Sequence, residues 1–175
     1  MKGVVLLVLV AFAAVSFIPV SVLEIRAEKT GKTVFARLVS PGDAVCVGYT
    51  HSVEFCPVRD YFTIDEELRF VLRETTFSSC NTGLPVSLAE GETFHVEEGC
   101  FRIAHMNRVE PALSLWVDEK YGNTLEIEGD RPIELPALAG NALLSIAVKK
   151  MSLAAYARLR AGIYVFAKGI ERYGY

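Results

Sequence analysis

The chain reads as an all-β domain, an antiparallel β-sandwich or barrel, set between an N-terminal hydrophobic signal or anchor helix and a C-terminal amphipathic helix. Three observations predict it. Around ten short runs suited to strands follow one another between residues 22 and 150 with no helical periodicity between them. Turn chemistry built on Gly, Pro and Asp separates these runs. The two ends break the pattern, one by carrying no charge and the other by repeating its apolar residues at three- and four-residue steps.

The leader comes first. After Lys2, the run Gly3 to Leu23 holds no charged residue, and Val4 to Val10 is aliphatic throughout. Crossing a hydrocarbon core takes roughly 20 apolar residues. One basic residue ahead of such a run, with the small residues Ala14-Val15-Ser16 behind it, makes residues 1–21 either a cleaved signal peptide or a retained membrane anchor. A buried core helix fits less well, because the run has no polar face. Both readings place the rest of the chain outside the cytoplasm, secreted or membrane-anchored through this segment.

The β region is assigned to residues 22–150. Val22 to Ala27 alternates, the polar turn Glu28-Lys29-Thr30-Gly31-Lys32 follows, and Thr33 to Val39 completes a hairpin. Ser40-Pro41-Gly42-Asp43 turns into Ala44 to Thr50, where Val45, Val47 and Tyr49 share one face at period two. Asp60 to Ile64 and Leu68 to Glu74 are separated by Asp65-Glu66-Glu67. After a loop from Pro85 to Gly91, Thr93 to Val96 and Phe101 to Met106 are joined by Glu97-Glu98-Gly99. Leu113 to Val117 and Thr124 to Ile127 flank Tyr121-Gly122-Asn123 as a further hairpin, and Ala142 to Val148 ends the series as a strand or the start of a helix.

Residues 151–175 form the tail. Ser152 caps, and Leu153, Tyr156, Ala157, Ile163, Tyr164 and Ala167 recur on one helical face, which suits a helix folded back over an open sheet edge. From Lys149 to Arg172, six basic residues stand against the single acid Glu171. That local balance of plus five leaves about minus eight for the rest of a chain whose total is minus three. An acidic body argues against nucleic acid as a partner. With 175 residues, 51% of them hydrophobic, the chain holds enough apolar side chain for one core.

Four cysteines, Cys46, Cys56, Cys80 and Cys100, in an exported domain predict two disulfides, with three pairings open. Their intervals are not those of a zinc site, and no metal is expected.

The polar residues concentrate in two segments that read as turns: Tyr49-Thr50-His51-Ser52-Val53-Glu54, and Phe77-Ser78-Ser79-Cys80-Asn81-Thr82-Gly83-Leu84-Pro85. Side chains placed on loops serve function more often than packing. Tyr49, His51, Ser52, Glu54, Ser78, Asn81 and Gly83 are therefore the candidate ligand- or partner-binding residues. Brought together, these turns would surround a Gly-floored pocket with neutral donors, an imidazole and a carboxylate, suited to a small polar solute or a partner peptide.

The order of Tyr49, His51, Ser52, Val53 and Glu54, then Pro57, Val58, Asp60 and Phe62, then Phe77, Ser78, Gly83, Leu84 and Pro85, resembles an uncharacterised family, domain of unknown function 1850. The likeness spans about residues 44 to 86. Asp60 stands where a glutamate looks usual, Cys80 replaces what looks like a glycine, and the basic helix after Lys150 looks like an extension. The resemblance implies a small exported or membrane-tethered protein linked to subunits of a TRAP-type transporter of the TAXI kind. It implies no chemistry.

Catalysis has weaker support in the residues. Neighbours on an extended strand point to opposite faces, so His51 and Ser52 do not pair readily, and nothing resembles a nucleophile elbow. A metal site from His51, Glu54, His95 and His105 has no fixed spacing behind it. Glu54 with Arg59 reads equally well as an ion pair that fixes the loop. The expectation is a non-catalytic accessory protein with no cofactor; the alternatives are a small hydrolase or metal-dependent enzyme centred on His51 and Glu54, and a purely structural envelope protein.

Overall fold

The computed structural model describes residues 2–4, 7, 15–53, 55–78, 88–97 and 99–172, with the backbone alone from 165 onward. Twelve strands are present among them. They are β1 (Pro19–Ala27), β2 (Lys32–Leu38), β3 (Ala44–Thr50), β4 (Pro57–Ile64), β5 (Phe70–Ser78), β6 (Thr93–Glu97), β7 (Cys100–Ala104), β8 (Arg108–Glu110), β9 (Leu113–Val117), β10 (Thr124–Ile127), β11 (Ile133–Glu134) and β12 (Ala142–Ser152). Two α-helices are also among the described elements, α1 (Leu135–Ala139) and α2 (Leu153–Arg172).

The strands form two antiparallel sheets. The smaller has the order β2-β1-β12-β9; the larger runs β11-β10-β3-β4-β5-β7-β6, with β8 beside the first half of β5. Their inner faces share one core, in which Leu23 and Ile25 of β1 and Leu144 and Ile146 of β12 meet Val45, Phe62, Ile64, Phe70, Leu125 and Ile127 of the larger sheet. The architecture is therefore a sandwich rather than a closed barrel. Burying each such side chain fully contributes about 1.5–3 kcal/mol.

The predicted β1–β2 hairpin forms, with Gly31 at φ +64 in its turn, a conformation that a side chain would resist. The predicted hairpin around Tyr121-Gly122-Asn123 does not. Strand β9 pairs with β12 in one sheet and β10 with β3 in the other, so this link crosses between layers. A 3₁₀ turn over Glu119–Tyr121, capped by Asp118, redirects the chain. Asn123, only 2% exposed, holds the corner by accepting from the Asp118 N–H at 3.0 Å.

Strand β5 runs on to Ser78, which turns part of the second motif segment into sheet. Thr75, Thr76 and Phe77 favour the pleated surface and pair with both β4 and β7. A bulge at Tyr61/Phe62 leaves Arg73 as the extra residue, letting β5 pair with β8 before it and β7 after it. The sequence also does not announce α1, because Pro136 reads as a breaker yet sits in the first helical turn, where it is tolerated.

The described leader residues 2–4, 7, 15 and 16 are helical, but no N-terminal helix stands among the described elements. Strand β1 begins at Pro19, inside the predicted leader of residues 1–21, since the residue before a proline is driven out of the helical region. Among the described residues no helix is long and apolar enough to cross a membrane; residues 1, 5, 6 and 8–14 of the leader lie outside them. The C-terminal helix is present. It packs on β2, β1 and β12, its first turn capped by the Ser152 hydroxyl, which accepts from Ala155 N at 3.2 Å. Arg160 reaches the Ala36 carbonyl of the edge strand β2 at 3.0 Å.

The two-disulfide framework is overturned, because Cys46 and Cys100 are free thiols and every complete pairing needs both. Cys46 lies in β3 and Cys100 in β7, three strand spacings apart. At about 4.8 Å per spacing that is about 14 Å, roughly twice the Cα separation a disulfide tolerates. Cys56 is disulfide-bonded, and Cys80 lies outside the described residues.

Candidate functional site

Strand β4 carries Val58, Asp60, Phe62 and Ile64 at period two, and three of the four are buried. Asp60 breaks that apolar row. Its cross-strand neighbours are Val47 on β3 and Thr75 on β5, so the carboxylate stands on the inner face of the larger sheet, beside the bulge. The Thr75 hydroxyl donates to Asp60 Oδ1, and the Tyr49 hydroxyl donates to the same carboxylate. Burial pushes the Asp60 pKa up, and the two hydrogen bonds only partly oppose it. Burial likewise pushes Tyr49 up to about 12, helped by the adjacent charge of Asp60 and their hydrogen bond.

Asp60 and Tyr49 face a cavity of about 440 Å³ between the layers. Val47, Tyr49, Asp60 and Phe62 line it from the larger sheet, while Leu113, Ser114 and Leu115 of β9 and Ile146 of β12 line it from the smaller one. Glu110 and Ala112 complete the lining, and both are exposed, as is Ser114. The cavity thus sits at the β9 edge of the sandwich. The described lining contains no imidazole, thiol or amine.

Of the sequence-predicted residues that are described, Tyr49 alone lines this cavity. His51 and Ser52 are exposed on the β3–β4 loop, which is closed by hydrogen bonds from His51 N to Cys56 O and from Phe55 N to His51 O, each 2.9 Å. His51 Nδ1 accepts from the Val53 N–H at 3.4 Å. Val53 and Phe55 project into solvent, 71% and 67% exposed, and Phe55 holds φ at +53. A bulky side chain in that region costs of order 1–3 kcal/mol, and such strain is concentrated where surfaces work. Lys120 lies over the Phe55 ring at 5.8 Å and ties the loop to the 3₁₀ turn.

Ser78 ends β5 on the face opposite Phe77, whereas Tyr49, Val58 and Phe77 share the inner face. The structure therefore separates Ser78 from Tyr49. Glu54, Asn81 and Gly83 lie outside the described residues, and with them the expected Glu54–Arg59 ion pair. His95 and His105, which no motif spacing connects in the sequence, converge on one hydroxyl: Thr93 Oγ1 is 2.9 Å from His95 Nε2 and 3.0 Å from His105 Nδ1. Among the described residues no three His, Cys, Asp or Glu side chains are grouped so as to hold a metal ion.

Sequence reasoning missed the Asp60–Thr75 pair and the β9 wall. The available signal was Asp60 itself, an acid inside a period-two apolar row.

Fold and site define the class: a two-layer antiparallel β-sandwich with a cavity in one edge, floored by a hydrogen-bonded carboxylate. The chain belongs to the family described as Domain of unknown function (DUF1850), which matches residues 45–133. That match runs beyond the motif resemblance of residues 44 to 86 and takes in both the Asp60 floor and the β9 wall. No curated protein and no solved structure matches the chain.

Proposed function

We propose that the protein is a non-catalytic extracytoplasmic accessory module that binds a small solute and serves a TRAP-type solute transporter of the TAXI kind. The observation that carries the binding reading is the cavity at the β9 edge. Its volume falls within the roughly 300–1,000 Å³ usual for ligand sites, and its walls are mainly apolar with a few convergent polar groups. Two of those polar groups, the Asp60 carboxylate and the Tyr49 phenol, are bound to each other, and Thr75 outside the lining donates to the same carboxylate, an arrangement that fixes orientation rather than activating a nucleophile. The exposed Val53 and Phe55 on the neighbouring loop suit contact with a transporter subunit, since apolar side chains held outward at a backbone cost favour partner surfaces. The transporter link itself rests on the family resemblance, and export rests on the uncharged leader.

The test is a pull-down of the full-length, membrane-extracted protein from its native cells, followed by mass spectrometry. Recovery of a transporter's binding or permease subunit, lost on Phe55→Ser, is the expected outcome. A clean protein with no transporter partner overturns the accessory role.

A further inference from the structure

Building on the solute-binding reading, we propose that the β9-edge cavity takes a small organic cation, an ammonium group on an apolar body, with Asp60 as its counter-ion.

The argument starts from donors and acceptors. An ionised carboxylate accepts only, and a phenol has one hydrogen to give. Tyr49 spends that hydrogen on Asp60, so what the pair still offers to the cavity is lone pairs. Thr75 spends its own hydrogen on the same carboxylate. Ser114, between the inward Leu113 and Leu115, turns to the outer face of β9, so the described lining, which holds no Lys, Arg or His, offers the cavity no further side-chain donor. A ligand that satisfies this floor must bring hydrogen-bond donors.

Charge points the same way. Among the described residues the lining holds two carboxylates, Asp60 in the floor and Glu110 at the exposed rim, and no cation. Taking a carboxylate out of water without a counter-charge is unfavourable, and burial accordingly pushes the Asp60 pKa up. An ammonium placed against Asp60 removes that penalty, whereas an anion adds a second negative charge to a site that cannot neutralise it. Around this polar floor, Phe62, Leu113, Leu115 and Ile146 supply apolar wall, so the body of the ligand is hydrocarbon or aromatic.

Three probes of matched shape separate the possibilities: phenethylamine, phenethyl alcohol and hydrocinnamate, each titrated calorimetrically into the purified full chain at pH 7.5. The amine is expected to bind at least tenfold more tightly than the alcohol, with no binding of hydrocinnamate. Asp60→Asn should remove at least tenfold of the amine's affinity and reduce the alcohol's by a smaller factor. Leu113→Arg, at a half-buried inner-face position of the edge strand β9, should set a guanidinium against Asp60, abolish amine binding and admit hydrocinnamate. That second variant keeps the test open should Asp60→Asn not fold. Binding of the alcohol or hydrocinnamate as tight as the amine's in the wild-type chain, amine binding insensitive to both substitutions, or binding of none of the three overturns the proposal. Tight binding of an uncharged or anionic probe would still leave the solute-binding reading standing.

Discussion

Two carboxylates in this sandwich sit in sheet, out of bulk water, and are treated in opposite ways. Glu24 of β1, only 8% exposed, turns away from the core on the side of the smaller sheet where α2 packs. Burial raises its pKa, but hydrogen bonds from Thr33 and Lys149 and the charges of Lys149 and Arg26 outweigh that and hold it below the usual glutamate value. Lys149 Nζ lies 3.0 Å from it and Arg26 Nε 4.0 Å. Asp60, across the sandwich, receives hydrogen bonds from two neutral hydroxyls, and burial prevails. Glu24 is compensated by charge where it lies; Asp60, against an open cavity, has neutral donors instead, which is the contrast the solute-binding proposal builds on.

The largest expected effect separates the filled part of the sandwich from its edge. Leu144, fully buried between the layers, should cost about 2–5 kcal/mol on replacement by alanine, because a dry void remains. Leu115, half-buried on the cavity wall, already borders open space, and Leu115→Ala should cost about 1 kcal/mol. Urea denaturation of both variants checks the difference. Equal losses would mean that the cavity is packed shut in solution.

The next effect contrasts the two acids directly. Lys149→Ala strips the charged donor from Glu24 and should destabilise by about 1–3 kcal/mol, the range for leaving a buried charged acceptor short of a partner. Asp60→Asn keeps an acceptor for Thr75 or Tyr49 and removes an uncompensated charge, so its stability at neutral pH should equal or exceed the wild type's. Thermal melts of the two variants give the sign of each. A loss in Asp60→Asn as large as that in Lys149→Ala would make Asp60 a structural acid and erase the distinction.

How much of this was legible in the sequence follows from what each feature depends on. The β region, its period-two faces and the C-terminal helix are written locally, in alternations such as Val45-x-Val47-x-Tyr49 and in a Ser152 cap. The layer change between β9 and β10 is not local. It depends on the Asn123 side chain and a 3₁₀ turn standing where a hairpin signal also fits. The cavity is less local still: its floor and its wall lie more than fifty residues apart, so no motif spacing records their meeting. Tyr49 was visible as a motif residue, whereas Thr75 needed the register of β4 against β5. The cysteines misled because an even count implies pairing only when the topology brings the sulfurs together, and the sheet order keeps Cys46 from Cys100.

The smallest effect is the pH dependence, and the two acids should contribute to it with opposite signs. For Glu24, whose folded pKa lies below its reference of 4.5, the unfolded chain binds the proton more readily. Its stabilisation is therefore fully present above 4.5 and is lost as the pH falls through the depressed folded value. For Asp60, whose folded pKa lies above its reference of 3.8, the folded chain holds the proton longer. Stability should accordingly decline as the pH rises from 3.8 through the raised folded value and level off above it. Chemical denaturation from pH 3 to pH 8 resolves the two through their variants: Glu24→Gln should flatten the acid limb, and Asp60→Asn the decline above it. If phenethylamine at saturation abolishes that decline in the wild-type chain and leaves the acid limb unchanged, the ligand has supplied at Asp60 the counter-charge that Lys149 supplies at Glu24. If it changes neither limb, the two carboxylates differ in surroundings without differing in purpose.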